Sequence, residues 1–378
     1  MKVERPSFLL YGFFGGWNSG DEVILETVAA ATRSLVSGGA TGPGETATAA
    51  SAEASPDTEP TPDIVIVSNR FSETATRGYD ERGWRTLSVR SPLAIFRVLR
   101  NRRTIVGGGQ MMTGDRKYRG LILLWMIVAM ARRRGRPAWM VGIGVEGVHR
   151  PLAKWWCRRI VAASERVCCR DDYSLEMLRA AGCDSRKLCL SADVVFSGLA
   201  TRKPEESRPG DPSIAIGLHQ SPVRTYSAVD TTLQLIASLR EAFPDHRLVC
   251  VSNDCRPRFD DGMIESLQRS VQDTKVAFQK FRSAAEVQRT YAGAECVVSV
   301  RMHPLIMAAM SGSRCVGIAG SNKVHQLAER LGFRVVEDIE RVAESVAAAI
   351  QEPRPDIRDL QSLALRDLRS AVAGDTVG

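Results

Sequence analysis

The sequence lacks three features that would each indicate a distinct class of protein. Its longest apolar run, residues 121–131, is too short to cross the roughly 30 Å of a bilayer as a helix. Its nine cysteines are an odd number and form no C-x-x-C pair, so we expect reduced cysteine and neither a disulfide framework nor a zinc site. The opening residues have no convincing signal-peptide cleavage site, which favours a cytoplasmic protein.

Net charge is also small for the length. The 378 residues include 51 Lys or Arg and 43 Asp or Glu, a net charge of +8. Residues 132–170 contain ten Lys or Arg and two acids, so this one segment accounts for the excess. A basic segment suits anionic substrates, nucleic acid or an anionic membrane, and composition alone does not separate these partners.

Strand-like and helix-like segments alternate along the chain, which predicts a largely parallel α/β fold. The alternation stops at the polar, proline-containing residues 198–212 and then restarts. We therefore predict two Rossmann-like domains, residues 1–200 and 213–353, followed by a C-terminal helix within 354–378. Residues 38–63 are rich in Ala, Thr, Gly and Pro and predict a flexible insertion in the first domain.

A first candidate site is the glycine-rich segment 12–22, GFFGGWNSGDE, between the first predicted strand and helix. Glycines let the backbone approach a ligand, and a helix start offers free N–H groups. The segment has neither G-x-G-x-x-G spacing nor a G-K-[ST] ending, so it does not predict nucleotide binding. The alternative is a tight turn in which Ser19 or Asp21 caps the helix.

A second candidate is the VGGGQ segment, residues 106–110. Three glycines after a β-branched strand predict backbone amides at a ligand-binding edge, with Gly108 and Gly109 as candidate contacts. The alternative is that these glycines only allow a helix to pack closely on the strand.

The most informative motif is VVSVRMHP, residues 297–304. Arg301 and His303 leave the end of a predicted buried strand, where ligands bind in open α/β sheets, and Pro304 suits the first position of a helix. Arginine binds phosphate or carboxylate through two hydrogen bonds, and histidine transfers protons near neutral pH. The alternative is a capping histidine beside a surface arginine. Lys323 follows the next predicted strand, either at the mouth of the same cleft or as a solvated lysine.

In their order along the chain, GFFGGWNSGDE, VGGGQ, VGIGVEGV, CCRDDYS, SADVVF, VRMHPLIMAA and GSNKV resemble the polysaccharide pyruvyl transferase family. The resemblance covers most of the chain apart from residues 38–63 and the tail. It implies two Rossmann-like domains facing across a cleft, as in glycosyltransferase-B-like enzymes. It also implies transfer of the pyruvate unit of phosphoenolpyruvate to a sugar as a ketal, with release of phosphate.

The resemblance also implies roles for individual residues. His303 would be the catalytic general acid, and the C-terminal domain would bind phosphoenolpyruvate. The N-terminal domain would bind the acceptor, a sugar or a lipid-linked glycan. The implied substrate-binding residues are Arg170, Arg301, Lys323, Asn18, Gly20 and Asp21. No metal and no cofactor other than the donor substrate is expected.

Two stretches depart from the family's pattern. Residues 144–150 replace a G-I-G-P-like turn, and Pro304 follows His303 where a small or polar residue is commoner. Both departures affect the identity of the acceptor more than that of the donor.

Two other hypotheses stay open: a sugar-nucleotide-dependent glycosyltransferase of the same architecture, and a non-catalytic protein that binds an anionic surface through residues 132–170. Trp139, Trp155 and Trp156 are predicted to be core residues and not stacking platforms, so we expect no nucleic-acid partner. A lipid-linked acceptor would bring the enzyme to the inner membrane surface. The cations that could contact anionic lipid there are Arg132, Arg133, Arg134, Arg136, Lys154, Arg158 and Arg159.

Overall fold

A computed structural model describes residues 6–36, 61–69, 71–114, 118–200, 212–220, 228–256 and 258–374. The predicted insertion, residues 38–63, lies outside these ranges except for its last three residues. The chain divides into two compact units. The N-terminal unit comprises Met1–Gly16, Ile24–Ala200 and Asp359–Gly378, and the C-terminal unit comprises Trp17–Val23 and Thr201–Arg358. Residues 17–23 therefore group with the C-terminal unit, although the sequence suggested a first domain that contained them.

The N-terminal unit is built on a parallel sheet of seven strands in the order β3-β2-β1-β4-β5-β6-β7. The strands are β1 Ser7–Tyr11, β2 Asp63–Ser68, β3 Arg85–Ser88, β4 Arg103–Thr113, β5 Trp139–Glu146, β6 Arg166–Cys169 and β7 Leu188–Leu190. The helices between them are α1 Ser19–Val36, α2 Glu73–Glu81, α3 Pro92–Val98, α4 Arg119–Arg133, α5 Pro151–Ala163 and α6 Asp172–Ala180. The central strands are apolar runs that are buried along almost their whole length, as parallel sheets covered by helices require.

The glycines of the VGGGQ segment lie inside β4 and not after it, so the prediction that they form a strand-end loop is wrong. Gly108 and Gly109 are buried and have positive φ angles of 32° and 75°. A Cβ atom on Gly108 would lie 3.0 Å from the side chain of Ile24 in α1. These glycines let a helix pack closely on the sheet, which is the alternative that the sequence left open. A substrate contact of either glycine stays a prediction.

The C-terminal unit has a second parallel sheet, of six strands in the order β10-β9-β8-β11-β12-β13. The strands are β8 Ser213–Gly217, β9 Arg247–Val251, β10 Val276–Gln279, β11 Cys296–Ser299, β12 Arg314–Ile318 and β13 Arg334–Val336. The helices are α7 Ala228–Ala242, α8 Asp260–Ser270, α9 Ala284–Ala292, α10 Met302–Met310, α11 Asn322–Leu331 and α12 Val342–Gln351. The last helix of the chain, α13 Arg358–Ala373, groups with the N-terminal unit from Asp359 onward. The predicted class of two Rossmann-like, doubly wound units is confirmed.

The strand register of the second sheet determines which residues lie side by side at its carboxyl edge. Strand β11 pairs with β8 and with β12, and Ser299 is aligned with Gly217 on one side and Gly317 on the other. The Ser299 hydroxyl donates to the carbonyl oxygen of Gly217 at 3.1 Å. The polar residues that follow β8, β9, β11 and β12 therefore leave the sheet side by side.

The tryptophans of the basic segment differ in burial. Trp139 lies in β5 and is 3% exposed, as predicted for a core residue. Trp155 lies in α5 and is 41% exposed, so the prediction that it belongs to the core is wrong. None of the helices that the structure describes is both long enough and apolar enough to span a membrane.

Candidate active site

Arg301 and His303 stand at the start of α10, directly after the central strand β11. Arg301 is the residue that precedes the first helical turn, and its backbone N–H donates to the hydroxyl of Ser299 at 3.0 Å. The helix begins at Met302, so Pro304 occupies the third helical position and not the first. A proline is tolerated there because the N–H groups of the first turn have no acceptor within the helix.

The Arg301 side chain is held by a buried carboxylate. Its Nη2 donates to Oδ1 of Asp260 at 3.0 Å, and Asp260 has no exposed surface. Asp260 also accepts the backbone N–H of Gln220 at 2.9 Å and that of Asn253 at 3.0 Å. Burial raises the pKa of Asp260 to about 6, although the charge of Arg301 acts in the opposite direction. Arg301 Nε is buried and has no hydrogen-bond partner among the described residues, so the ion pair with Asp260 does not use all five N–H donors of the guanidinium.

The N-terminal loop is attached to the loop that follows β9. Asn18 forms an isolated antiparallel bridge with Asp254. The backbone N–H of Ser19 donates to the carbonyl oxygen of Asn253 at 2.9 Å, and its hydroxyl donates to Oδ1 of the same residue at 3.0 Å. Oδ1 of Asn18 accepts the N–H of Gly20 at 2.9 Å. Asn18 therefore caps α1, and the alternative that Ser19 or Asp21 does so is wrong.

Gly20 lies directly against the imidazole of His303. A Cβ atom on Gly20 would be 2.3 Å from Nδ1 and 2.4 Å from Cγ of His303. Both distances are too short for non-bonded atoms, so any other side chain at this position would clash with the ring. Glycine at this position thus lets the ring of the candidate acid lie on the backbone of the first helical turn. The contact joins two motifs that are 283 residues apart in the sequence (303 − 20).

Asp21 is close enough to His303 for their charges to interact. Burial raises the pKa of Asp21 to about 7, the charge of His303 lowers it, Glu22 and Asp254 raise it further, and Arg301 lowers it. A carboxyl group with a pKa near 7 can take up or release a proton under physiological conditions. Asp21 and His303 therefore place a carboxyl group and an imidazole in one small region of the C-terminal unit.

Lys323 and Arg170, the other predicted cations, have different surroundings. Lys323 is half-buried in the first turn of α11, after the strand next to β11. Arg170 belongs to the N-terminal unit, where its Nε donates to Asp171 at 3.0 Å and its Nη1 lies 3.8 Å from Asp193. Two carboxylates balance this guanidinium and its side chain is 5% exposed, which is typical of a structural ion pair. Its contact with substrate stays a prediction.

Sequence reasoning missed Asp260, Asn253 and Asp254. All three lie between β9 and the first turn of α8, at the same carboxyl edge as Arg301. The SND triplet directly after the strand and the neighbouring pair Asp260 and Asp261 were visible signals, because polar residues at this edge are candidates in any open α/β sheet. What the sequence could not show is that they hold the N-terminal loop and Arg301.

One group of side chains in the described part of the chain has the spacing of metal ligands. Cys168, Cys189 and Asp367, in the N-terminal unit, offer ligand atoms within 4.8 Å of one another. Arg366 donates to Asp367 at 2.8 Å, so a fixed positive charge already lies beside this group. We assign no metal to it, and the expected absence of a metal site stays a prediction.

Two doubly wound units, with an arginine, a histidine and a buried carboxylate at a carboxyl sheet edge, give the chain a glycosyltransferase-B-like fold. The polysaccharide pyruvyl transferase family model matches residues 60–322. The chain belongs to this family, as its motifs predicted. No curated protein matches the sequence.

Solved structures of the same fold include sugar-nucleotide enzymes. The UDP-GlcNAc 2-epimerase from Methanocaldococcus jannaschii is 12% identical, covers 98% of this chain and 100% of its own, and superimposes with a TM-score of 0.66. Anabaena HepE in complex with UDP-glucose is 12% identical, with 97% and 98% coverage and a TM-score of 0.58. The UDP-GlcNAc 2-epimerase from Neisseria meningitidis is 11% identical, with 97% of each chain covered and a TM-score of 0.57. At these identities the likeness concerns the fold.

Replacing Gly20 by alanine is expected to displace the His303 imidazole. The new Cβ atom would overlap the ring, and overpacking costs about 1–3 kcal/mol, which exceeds the roughly 1 kcal/mol that alanine gains over glycine in a helix. Thermal unfolding should show a lower melting temperature, and the NMR signals of the His303 ring should shift. Gly78→Ala in α2 is the matched control, because a Cβ atom there meets nothing within 4 Å. If Gly20→Ala behaves like this control, the contact with His303 is not as described.

Proposed function

We propose that the protein transfers the pyruvate unit of phosphoenolpyruvate to a sugar of a polysaccharide or glycan precursor as a ketal and releases phosphate. The observation that carries the proposal is the arrangement of Arg301 and His303 at the start of α10, with Asp21 near enough to His303 for their charges to interact. Membership of the family supports the reaction class.

Charge supports the choice of donor. Phosphoenolpyruvate carries a phosphate and a carboxylate, about three negative charges near neutral pH. Arg301 offers a hydrogen-bond donor at Nε, and Lys323 follows the neighbouring strand. The N-termini of α10 and α11 add the positive ends of two helix dipoles. Arg301 in particular is positioned by Asp260 before a ligand arrives, so little conformational freedom remains to be lost on binding.

The chemistry needs one proton donor and one proton acceptor. His303, as imidazolium, donates a proton to the methylene carbon of the enol, which makes the adjacent carbon electrophilic. A sugar hydroxyl attacks that carbon and Asp21 receives its proton. The C–O bond to phosphate then breaks while Arg301 and Lys323 stabilise the departing anion, and a second hydroxyl closes the ketal. The two acceptor hydroxyls release two protons. One returns to His303, which gave its proton to the new methyl group, and the other leaves with phosphate.

The acceptor is assigned to the N-terminal loop within this proposal. Asn18 caps α1 and Ser19 is tied to Asn253, so these residues hold the loop in place. In this proposal Asp21 is the loop residue that contacts the attacking hydroxyl group of the acceptor. This assignment places acceptor recognition next to the acid, as a direct attack on the donor requires.

A direct test is phosphate release from phosphoenolpyruvate by the purified protein. We expect release only when a suitable acceptor glycan is present, together with a product heavier by one pyruvyl ketal in mass spectrometry. Hydrolysis of phosphoenolpyruvate at the same rate without any acceptor would contradict a transferase. No consumption of phosphoenolpyruvate with a broad panel of glycans would contradict its assignment as the donor substrate.

A second candidate function is a sugar-nucleotide-dependent glycosyl transfer. The observation in its favour is that similar solved structures were determined with UDP-glucose or UDP-GlcNAc bound. A thermal-shift comparison separates the two candidates, since a ligand that binds the native state raises its melting temperature. Stabilisation by phosphoenolpyruvate but not by UDP supports the pyruvyl transfer, and the reverse result supports the alternative.

A further inference from the structure

Helices α4 and α5 form an exposed surface that combines apolar and basic side chains. Leu152 is 49% exposed, Trp155 41% and Ile122 40%, which is unusual for side chains of this size on helices that cover a sheet. Both helices belong to the N-terminal unit, and none of these residues takes part in the proposed reaction. We call this the α4–α5 surface, which consists of the exposed residues of α4 and α5.

Aromatic contacts make this surface continuous across the two helices. The rings of Trp155 and Trp156 lie 4.6 Å apart, and that of Trp156 lies 5.5 Å from Trp125 of α4. The guanidinium of Arg159 lies 5.5 Å from the Trp155 ring and 6.0 Å from that of Trp125. Leu152 stands one turn before Trp155 in α5, so it extends the same face.

The charge of the two helices has one sign. Together they contain six Lys or Arg residues and no Asp or Glu. The cations are Arg119, Arg132, Arg133, Lys154, Arg158 and Arg159. A surface helix of a soluble protein usually mixes both signs, so the absence of acids from two adjacent helices indicates an anionic partner.

We propose that the α4–α5 surface binds an anionic lipid membrane. Tryptophan and leucine side chains suit the interface between headgroups and acyl chains, and the surrounding cations suit anionic headgroups. Such binding is peripheral: the side chains enter the interface while the helices remain packed on their sheet.

Two other occupants fit the surface less well. A symmetric dimer through this face would bring six cations of one copy against the same six of the other, and like charges repel. Nucleic acid would need open aromatic faces for stacking, whereas the rings of Trp155 and Trp156 meet edge to face at 77° and Arg159 lies over Trp155. Exposed Leu152 and Ile122 also have no role in a contact with phosphates.

Vesicle co-sedimentation tests the charge of the surface. We expect the protein to bind vesicles that contain phosphatidylglycerol and not vesicles of phosphatidylcholine alone, with weaker binding as salt increases. Arg119→Glu with Lys154→Glu should weaken binding about thirtyfold or more, since each cation near the surface is worth about fivefold. Both changes lie in first turns of helices, where a carboxylate is favourable, so the fold should be retained.

A matched control makes the same change in net charge elsewhere. Arg77→Glu with Arg90→Glu alters two exposed arginines near the opposite edge of the N-terminal sheet and should leave vesicle binding unchanged. Equal binding by the two double variants would overturn the proposal, and so would equal binding to both kinds of vesicle.

Lipid insertion is tested separately with bromine-labelled lipids, which quench tryptophans that enter the interface. Quenching should be clear in the native protein and strongly reduced in Trp155→Phe. Unchanged quenching in this variant would contradict insertion at α5. Tighter binding to duplex DNA than to vesicles, lost in the Arg119 and Lys154 variant, would assign the surface to nucleic acid. A dimer that Leu152→Ser dissociates would assign it to a second copy.

Discussion

His303→Ala should lower the rate of acceptor-dependent phosphate release from phosphoenolpyruvate by about 10²–10⁴-fold, the usual contribution of a positioned general acid. The enol carbon is a weak base, so without a proton donor beside it the attack of the hydroxyl has no electrophile. The Michaelis constant for phosphoenolpyruvate should change little, because Arg301 and Lys323 carry the donor's charge. Steady-state kinetics with phosphate detection separates the two parameters.

A second histidine provides the control for this prediction. His149 is exposed, follows β5 in the N-terminal unit, and has no place in the proposed reaction. His149→Ala should therefore retain native turnover. If His303→Ala also retains it, the acid is another group, and the first candidate to examine is Asp21, whose pKa near 7 allows it to donate a proton.

The sequence allowed the class of fold and the main motif to be predicted. Alternating apolar segments predict parallel strands with helices between them, and an apolar run followed by an arginine and a histidine places Arg301 and His303 at a strand end. Both inferences depend on local pattern, and both agree with β11 and α10.

Contacts between distant segments could not be predicted in the same way. Nothing near Gly20 in the sequence indicates that it touches His303, because that contact depends on the bridge between Asn18 and Asp254. The grouping of residues 17–23 with the C-terminal unit has the same origin. Local pattern can identify the members of such a site, but only tertiary structure pairs them.

The exposure of Trp155 could have been predicted from its position in the helix. The buried residues of α5 are Ala153, Cys157, Ile160 and Val161, which form one stripe at helical spacing. Trp155 lies outside this stripe, so periodicity favours exposure, whereas hydrophobicity alone favours the core. The prediction followed residue type where it should have followed position.

Arg301→Ala is expected to be the most destabilising single change in the candidate site, at about 3–5 kcal/mol, the usual cost of leaving one member of a buried ion pair without its partner. Arg301 is 17% exposed and Asp260 fully buried, so water cannot replace the guanidinium. The native pKa of Asp260, about 6, lies above its ordinary value of 3.8, so the folded protein holds this proton more tightly than the unfolded chain. Stability therefore falls as the pH rises between these values.

Without Arg301 the pKa of Asp260 should rise further, because the one charge that lowers it most is gone. The destabilisation should thus be small near pH 4, where the carboxyl group is neutral in the folded state of both proteins, and should grow as the pH rises through 6 and above. Urea unfolding of both proteins across this range measures it. Arg334→Ala, which breaks an exposed pair with Glu352, should change the stability little across the same range.

Adding Asp260→Asn to Arg301→Ala separates stability from substrate binding. The neutral amide needs no cation, but its single oxygen can accept only one of the two backbone N–H groups that Asp260 accepts, so the double variant should recover part of the lost free energy of unfolding. It should not recover the native Michaelis constant for phosphoenolpyruvate, because the guanidinium that binds the donor is still absent. Recovery of both would mean that Arg301 only supports the fold, and would leave Lys323 as the cation that recognises the donor.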